Sequence, residues 1–454
     1  IHDEVFVWGS YTQSKMYEVG VTCSDCHDPH SQKLKASGSN VCAQCHLPTQ
    51  FAVTEHHGHP VESSGADCLG CHMPDRTYMG VDDRRDHSMR IPRPDWSLAY
   101  GTPNACTQCH EDRDDAWAAE AFTGMFPDVK EPFQHWVTAF HQAREGLPQA
   151  EVSLLTVYGK QGTPDLARAT AILELQNYLS PLSGQVIEQA LRDESPLVRI
   201  AALRVLDVIP APNRFPLAGH LLNDPVLAVR SEAARVLAGS PRNQLDVAAR
   251  GALQRAIEDY FNVQQLDADQ PESGLNLGNL SLDAGNVTQA ERYYRLSMKR
   301  DATFTPAYLN LAELYRNEGM ESESRALLEQ GIARNPDSAD LHHSLGLAFV
   351  REGRTDEALT SLKTAADLGP EVVRYGYVYG IALNSTGQSD AAVATLETVH
   401  QRHPNSRDVL FALATIERDR GNREAAIGWT EGLLRLNPGD TQADQLMRQL
   451  ESET

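Results

Sequence analysis

The chain has 454 residues, 41% hydrophobic and 22% charged, long enough for roughly three domains and apolar enough to fold them. Its 40 Lys and Arg against 62 Asp and Glu leave a net charge of −22, which excludes nucleic acid as the main partner, because that contact needs clustered cations. No apolar run approaches the length of a membrane-spanning helix, so no transmembrane segment is expected; the start at Ile1, without an apolar signal segment, predicts a processed or shortened chain.

All eight cysteines lie between Cys23 and Cys109. They form four pairs with two residues between and a histidine directly after: Cys23/Cys26-His27, Cys42/Cys45-His46, Cys68/Cys71-His72 and Cys106/Cys109-His110. A disulfide framework has no need of those histidines, and a zinc site would not require one after every pair. A thioredoxin-like motif occurs once, in an α/β unit. Fourfold repetition instead matches the attachment signature of c-type haem, with two thioether bonds and the next imidazole as proximal iron ligand. Four covalently attached haem c groups are expected. Residues 1–115, the predicted tetrahaem module, are poor in apolar residues and rich in turn formers, so the porphyrins are expected to supply the core.

Four irons with two imidazoles each need eight ligands, and residues 1–115 contain ten histidines. His27, His46, His72 and His110 are proximal by motif. His2, His30, His56, His57, His59 and His87 are the distal candidates, with Met73 and Met79 as alternatives that would raise the potential. The spacing leaves open which of His56, His57 and His59 binds iron. Arg84, Arg85, Arg90 and Arg93 are candidate partners for haem propionates, which arginine recognises by paired hydrogen bonds. The seven remaining histidines are expected on the surface.

The stretches Gln13-Ser-Lys-Met16, Gly20-Val-Thr-Cys-Ser-Asp-Cys-His-Asp-Pro-His30, Cys71-His-Met-Pro74, Arg85-Asp-His87 and Thr102-Pro-Asn-Ala-Cys106 resemble multihaem proteins related to the cytochrome c nitrite reductase and hydroxylamine oxidoreductase group that carry C-terminal helical repeats. The resemblance covers about a quarter of the chain. It implies closely stacked bis-histidine haems and electron transfer outside the cytoplasm. It also implies further haem motifs upstream of Ile1 in longer relatives. The reductases themselves use a lysine-ligated catalytic haem, and no such variant motif occurs here. Some multihaem cytochromes form extracellular filaments in which a distal histidine crosses the subunit boundary, a part open to His2.

Residues 116–150 read as a helical connector. Over 151–255, Asp193-Glu-Ser-Pro-Leu-Val-Arg199 recurs 31 residues later as Asp224-Pro-Val-Leu-Ala-Val-Arg230, which resembles HEAT-like paired helices. The aspartate is read as a helix cap ahead of a proline with fixed φ. Over 271–440 the period becomes 34: glycines at 285, 319, 353, 387 and 421, prolines at 336, 370, 404 and 438, and small residues at 278, 312, 346, 380 and 414. That is the tetratricopeptide period, five times over. Residues 441–454 are expected as a C-terminal tail.

The expected fold is mainly α: a loop-rich, haem-cored module followed by an α-solenoid. The expected function is electron relay through bis-histidine haems, not enzymatic catalysis. The helical arm would dock redox partner proteins or copies of the chain, as in an extracellular filament. The competing expectation is a reductase or oxidase of small nitrogen or sulfur oxyanions with one open haem. Thioether attachment follows export, so the periplasm or cell exterior is expected.

Overall fold

The computed structural model describes residues 7–78, 80–128 and 133–452. Over 7–115 the helices are short. They run Val7–Tyr11, Lys15–Glu18, Cys23–Cys26, Pro48–Phe51, Thr54–His57, Cys68–His72 and Pro94–Tyr100. One antiparallel hairpin, Asp75–Tyr78 with Asp82–Arg85, pairs Asp75 opposite Arg85. Only Tyr11 and Val41 are buried hydrophobic side chains among the described residues before Ala118. That is far too little apolar burial to offset the backbone entropy of ordering such a segment.

Beyond residue 115 the helices lengthen and acquire cores. The chain forms two compact units: residues up to 144 with 149–202, and 145–148 with everything from 203 onward. The division falls inside the stretch expected as one HEAT-like block over 151–255.

In the first unit, helices Ala150–Gly159, Asp165–Glu174 and Pro181–Ala190 bury Leu154, Ile172, Leu175 and Leu191 completely. Tyr158 donates to the Asp193 carboxylate at 3.1 Å, and Arg168 pairs with the same group. Burial, reinforced by Asp193, pushes the Tyr158 phenol up to about 12. The 31-residue repetition has a local counterpart. Arg199 donates to the Asp193 carbonyl at 2.7 Å and Arg230 to the Asp224 carbonyl at 2.8 Å. The two aspartates do not cap helices as expected. Their carboxylates accept from Ser195 N and Val226 N, two residues on, and form turns that precede helices Pro196–Val205 and Leu227–Leu237. An aspartate bonding its own backbone two residues later competes with the capping geometry.

In the second unit, Val247–Leu266 leads into five helix pairs: Pro271–Asp283 with Val287–Arg300, Thr305–Asn317 with Glu321–Arg334, Ala339–Arg351 with Thr355–Leu368, Val373–Ser385 with Ser389–Arg402, and Arg407–Asp419 with Arg423–Leu436. The period-34 glycines at 285, 319, 353, 387 and 421 all turn the chain at φ between 71° and 80°, the left-handed region that ends a helix without steric cost only in glycine. The small residues sit where paired helices cross. A Cβ on Gly346 would lie 2.7 Å from Leu362.

The expected tail is instead a helix, Thr441–Ser452. Ala443, Leu446 and Leu450 are buried, the last two against Ala414 and Ala426 of the final repeat. Asp440 caps it by accepting from Ala443 N at 3.1 Å while its carboxylate pairs with Arg407 at 2.7 Å. A terminal repeat exposes an apolar face that a capping helix must cover. Three apolar residues at helical spacing are too short a pattern to stand out.

Candidate cofactor site: four CxxCH turns and their facing histidines

Each motif is about one helical turn. The amide of His27 donates to Cys23 O at 2.9 Å, that of His46 to Cys42 O at 2.9 Å, and that of His110 to Cys106 O at 3.0 Å. The third motif is the helix Cys68–His72, capped by Asp67. A turn of this kind brings cysteines three apart onto one side. All eight cysteines are free and range from exposed to half-buried.

The motifs neighbour one another in chain order. Burial pushes the Cys26 thiol up, and Asp25 and then Cys45 of the second motif add to it. Burial likewise raises Cys42, with Cys68 of the third motif next, and raises Cys71, with Cys106 and Cys109 of the fourth next. Ser39 ties the second and third motifs, accepting from Cys68 N at 3.0 Å and bonding the Asp67 carboxylate.

Among the described residues, three of the four motif histidines face a histidine from elsewhere. The ring centres of His27 and His87 are 6.4 Å apart with planes 28° from parallel. His72 and His56 are 6.1 Å apart at 18°, and His110 and His59 are 6.0 Å apart at 26°. A metal–imidazole bond is about 2 Å long, and adding a ring radius on each side puts two trans imidazoles on one metal roughly 6 Å apart between centres. The three pairs therefore fit a six-coordinate haem iron.

Hydrogen bonds at the far ring nitrogen support the fit. The Nδ1 of His27 bonds Gln32 O at 3.2 Å, that of His72 bonds Arg90 O at 2.7 Å, that of His87 bonds Arg85 O at 3.0 Å and that of His59 bonds His57 O at 2.6 Å. An imidazole donating Nδ1–H to a carbonyl keeps Nε2 as a lone-pair donor, the usual state of a metal-bound histidine. His57 differs. Its Nδ1 accepts from His59 N at 3.2 Å, which puts the proton on Nε2. The geometry thus separates the three clustered histidines: His56 and His59 face motif histidines, and His57 serves as support.

His46 is set apart. Phe51 lies edge-on to it at 5.3 Å and also edge-on to His56 at 5.3 Å, wedged between the second and third motifs. Burial and then the facing His72 hold the His56 imidazole below its ordinary value. His30 is exposed, and its amide is held by Asp28 at 3.2 Å. Met73 ends the third motif helix. His2 and Met79 lie outside the described residues.

The four candidate arginines line one cleft with Cys71, Ile91, Trp96 and Trp136. Each also has an aspartate partner: Arg84 with Asp82 at 2.7 Å, Arg85 with Asp75 at 3.8 Å, Arg90 with Asp86 at 3.0 Å and Arg93 with Asp95. Arg93 further stacks on Trp96 at 4.2 Å. Apolar walls, a motif cysteine and a cationic rim suit a porphyrin edge carrying propionates.

Several positions were not legible beforehand. The carbonyls of Gln32, Arg85 and Arg90 carry no side-chain signature, and neither Phe51 nor Trp117, which packs on His110 at 4.8 Å, falls in a recognisable pattern. Of the seven histidines expected on the surface, His343 is instead buried, 3% exposed, against Tyr375. It lies on the inner face of Ala339–Arg351, where the repeat period places a core position.

Comparison with known proteins gives two partial family matches. Residues 16–51 match the doubled CXXCH motif, and residues 281–348 and 383–450 match the tetratricopeptide repeat. The chain therefore carries a paired haem-binding motif near its start and protein-interaction repeats in its C-terminal part. No curated protein matches. Among solved structures, the chain is similar to MamA (20% identity over 37% of this chain and 97% of that one, TM-score 0.33). It is also similar to YrrB, a tetratricopeptide protein described with an unusual peptide-binding site (19%, 41% and 96%, TM-score 0.33). A thermophilic tetratricopeptide protein in Thermus thermophilus is also similar (19%, 40% and 99%, TM-score 0.31). Among the described residues no helix is long and apolar enough to cross a membrane.

Proposed function

We propose that this protein is a multihaem c-type cytochrome that relays electrons through four covalently attached haems, and that it is not an enzyme. One observation carries the reading: three motif histidines each face a second imidazole at the separation one iron requires. His27 with His87, His72 with His56 and His110 with His59 are the axial pairs in this reading. The haem, when bound, supplies a one-electron couple; the chain supplies the rest. The motif turns, which neighbour one another in chain order, would hold the porphyrins in that order. At the first, third and fourth motifs the paired imidazoles would hold the iron from both sides and leave no position there for substrate. The arginine-rimmed cleft takes propionates, which favours Arg84, Arg85, Arg90 and Arg93 for that role.

The relay belongs in the periplasm or outside the cell, because thioether attachment follows export. The repeats dock a redox partner or another copy of the chain. HEAT-like character for the 151–255 helices rests on the recurring Asp–Arg turn. The wider kinship with the nitrite reductase and hydroxylamine oxidoreductase group rests on the motif stretches alone.

One observation favours the reductase alternative. His46 meets the edge of Phe51, so the haem on Cys42 and Cys45 is where an exchangeable ligand would be found, unless His2 or His30 fills that site. The visible spectrum of the dithionite-reduced protein before and after carbon monoxide tests both readings. The relay predicts no shift. A shift on a quarter of the haem moves the assignment to an open-site enzyme, with candidate oxyanions to be tried on that haem.

A further inference from the structure

Among the described residues, two that are not glycine have a left-handed backbone: Gln32 at φ 59° and Met89 at φ 48°. Such residues are uncommon, and they persist only where the surroundings over-determine them. Both stand beside a motif histidine. The carbonyl of Gln32 itself takes the Nδ1–H of His27 at 3.2 Å. The residue after Met89 is Arg90, whose carbonyl takes the Nδ1–H of His72 at 2.7 Å and whose amide returns to His72 O at 3.1 Å.

The surroundings do over-determine both. Around Gln32, Asp28 accepts from Ser31 N at 2.8 Å, Gln32 N donates to Asp28 O at 2.8 Å, and Asp28 N donates to Lys33 O at 2.8 Å. Around Met89, buried Ser88 has its amide on Asp86 at 2.8 Å, its hydroxyl on Arg90 Nε at 2.7 Å and its carbonyl on Gln134 at 3.2 Å.

We propose that Gln32 and Met89 are positioning residues that hold a backbone carbonyl on the proximal histidines of the first and third haems and thereby keep those two haems at low potential. This rests on the haem reading above. A carbonyl accepting from Nδ1–H makes the imidazole a stronger donor, which favours ferric over ferrous iron. The left-handed turn aims that carbonyl, and a side chain unable to adopt the turn releases it.

The test is spectroelectrochemical titration of the purified holoprotein and its variants. Gln32→Val and Met89→Val place a β-branched residue where φ is positive. Each should shift one of the four haem steps to higher potential and leave the spectrum low-spin. Gln32→Gly and Met89→Gly keep the turn and should titrate like the parent. Valine variants with all four steps unmoved, or glycine variants that shift as far as the valine ones, overturn the proposal while leaving the relay reading intact. If a valine variant does not take up haem, the parent decides. With ¹⁵N-histidine label in the reduced state, Nδ1–H signals of His27 and His72 should resist exchange with water, and unprotected signals overturn the proposal. A parent whose mass shows no covalent haem overturns both readings.

Discussion

The segment 7–115 and the repeats after residue 270 solve the problem of a stable interior in opposite ways. The repeats bury side chains against side chains. One cluster alone gathers Tyr294, Tyr308, Leu311, Leu314, Leu328, Leu341 and Phe349 across successive helix pairs. Among its described residues the first segment has two buried hydrophobic side chains, Tyr11 and Val41, and it spends its sequence on cysteines, histidines and turns. Its facing imidazoles stand 6.0 to 6.4 Å apart, the separation two imidazoles sharing one metal would have. In one region the chain is its own core; in the other too few apolar side chains are buried to make one. On the proposed reading, iron bound by each facing pair would also cross-link distant residues, 27 to 87, 56 to 72 and 59 to 110, as metal sites do when binding energy is folding energy.

The largest expected effect separates the two regions outright. Protein made without haem maturation should lose hydrogen-exchange protection across 7–115 while the repeats keep theirs and still unfold cooperatively. Protection in the haem-free first segment comparable to that of the repeats would break the comparison.

A smaller effect sharpens it from the other side. Leu362 is fully buried, and Leu362→Ala should cost about 2–5 kcal/mol in denaturant unfolding of the repeats. Gly346→Ala at the same crossing, where the new Cβ meets Leu362 at 2.7 Å, should cost about 1–3 kcal/mol by overpacking. Neither should change the haem spectrum.

This contrast explains what could be read from the sequence. The repeats announce themselves because each glycine at φ near 80° and each small crossing residue does the same job every 34 residues. The capping helix Thr441–Ser452 has no repetition to betray it. The four motif turns are legible because thioether chemistry fixes their spacing. The histidines that face them are not, because His57 and His59 differ in hydrogen bonding and not in residue type: His57 accepts a backbone N–H, and His59 donates to a carbonyl. Backbone acceptors such as those of Gln32 and Arg90 belong to no residue type and leave no trace in composition.

The smallest expected effect is a pH dependence confined to the repeats. His343 is 3% exposed, and both of its ring nitrogens are buried without a hydrogen-bond partner. Burial, helped by Arg374 and opposed by Asp340, lowers its pKa from 6.5 to about 4, so it stays neutral in the folded protein. In the unfolded chain it titrates near its ordinary value. The unfolded state therefore binds more protons below that value, and stability must fall there. The contribution is complete above about pH 6.5 and is lost progressively as pH drops toward 4. Unfolding midpoints of the repeats between pH 7.5 and 5 should decline, and His343→Leu should flatten that decline while leaving the haem spectrum and its pH response unchanged. An unaltered slope in the leucine variant would mean that other groups carry the acid sensitivity. The repeat core would then differ from the first segment only in what fills it, and not also in how it responds to protons.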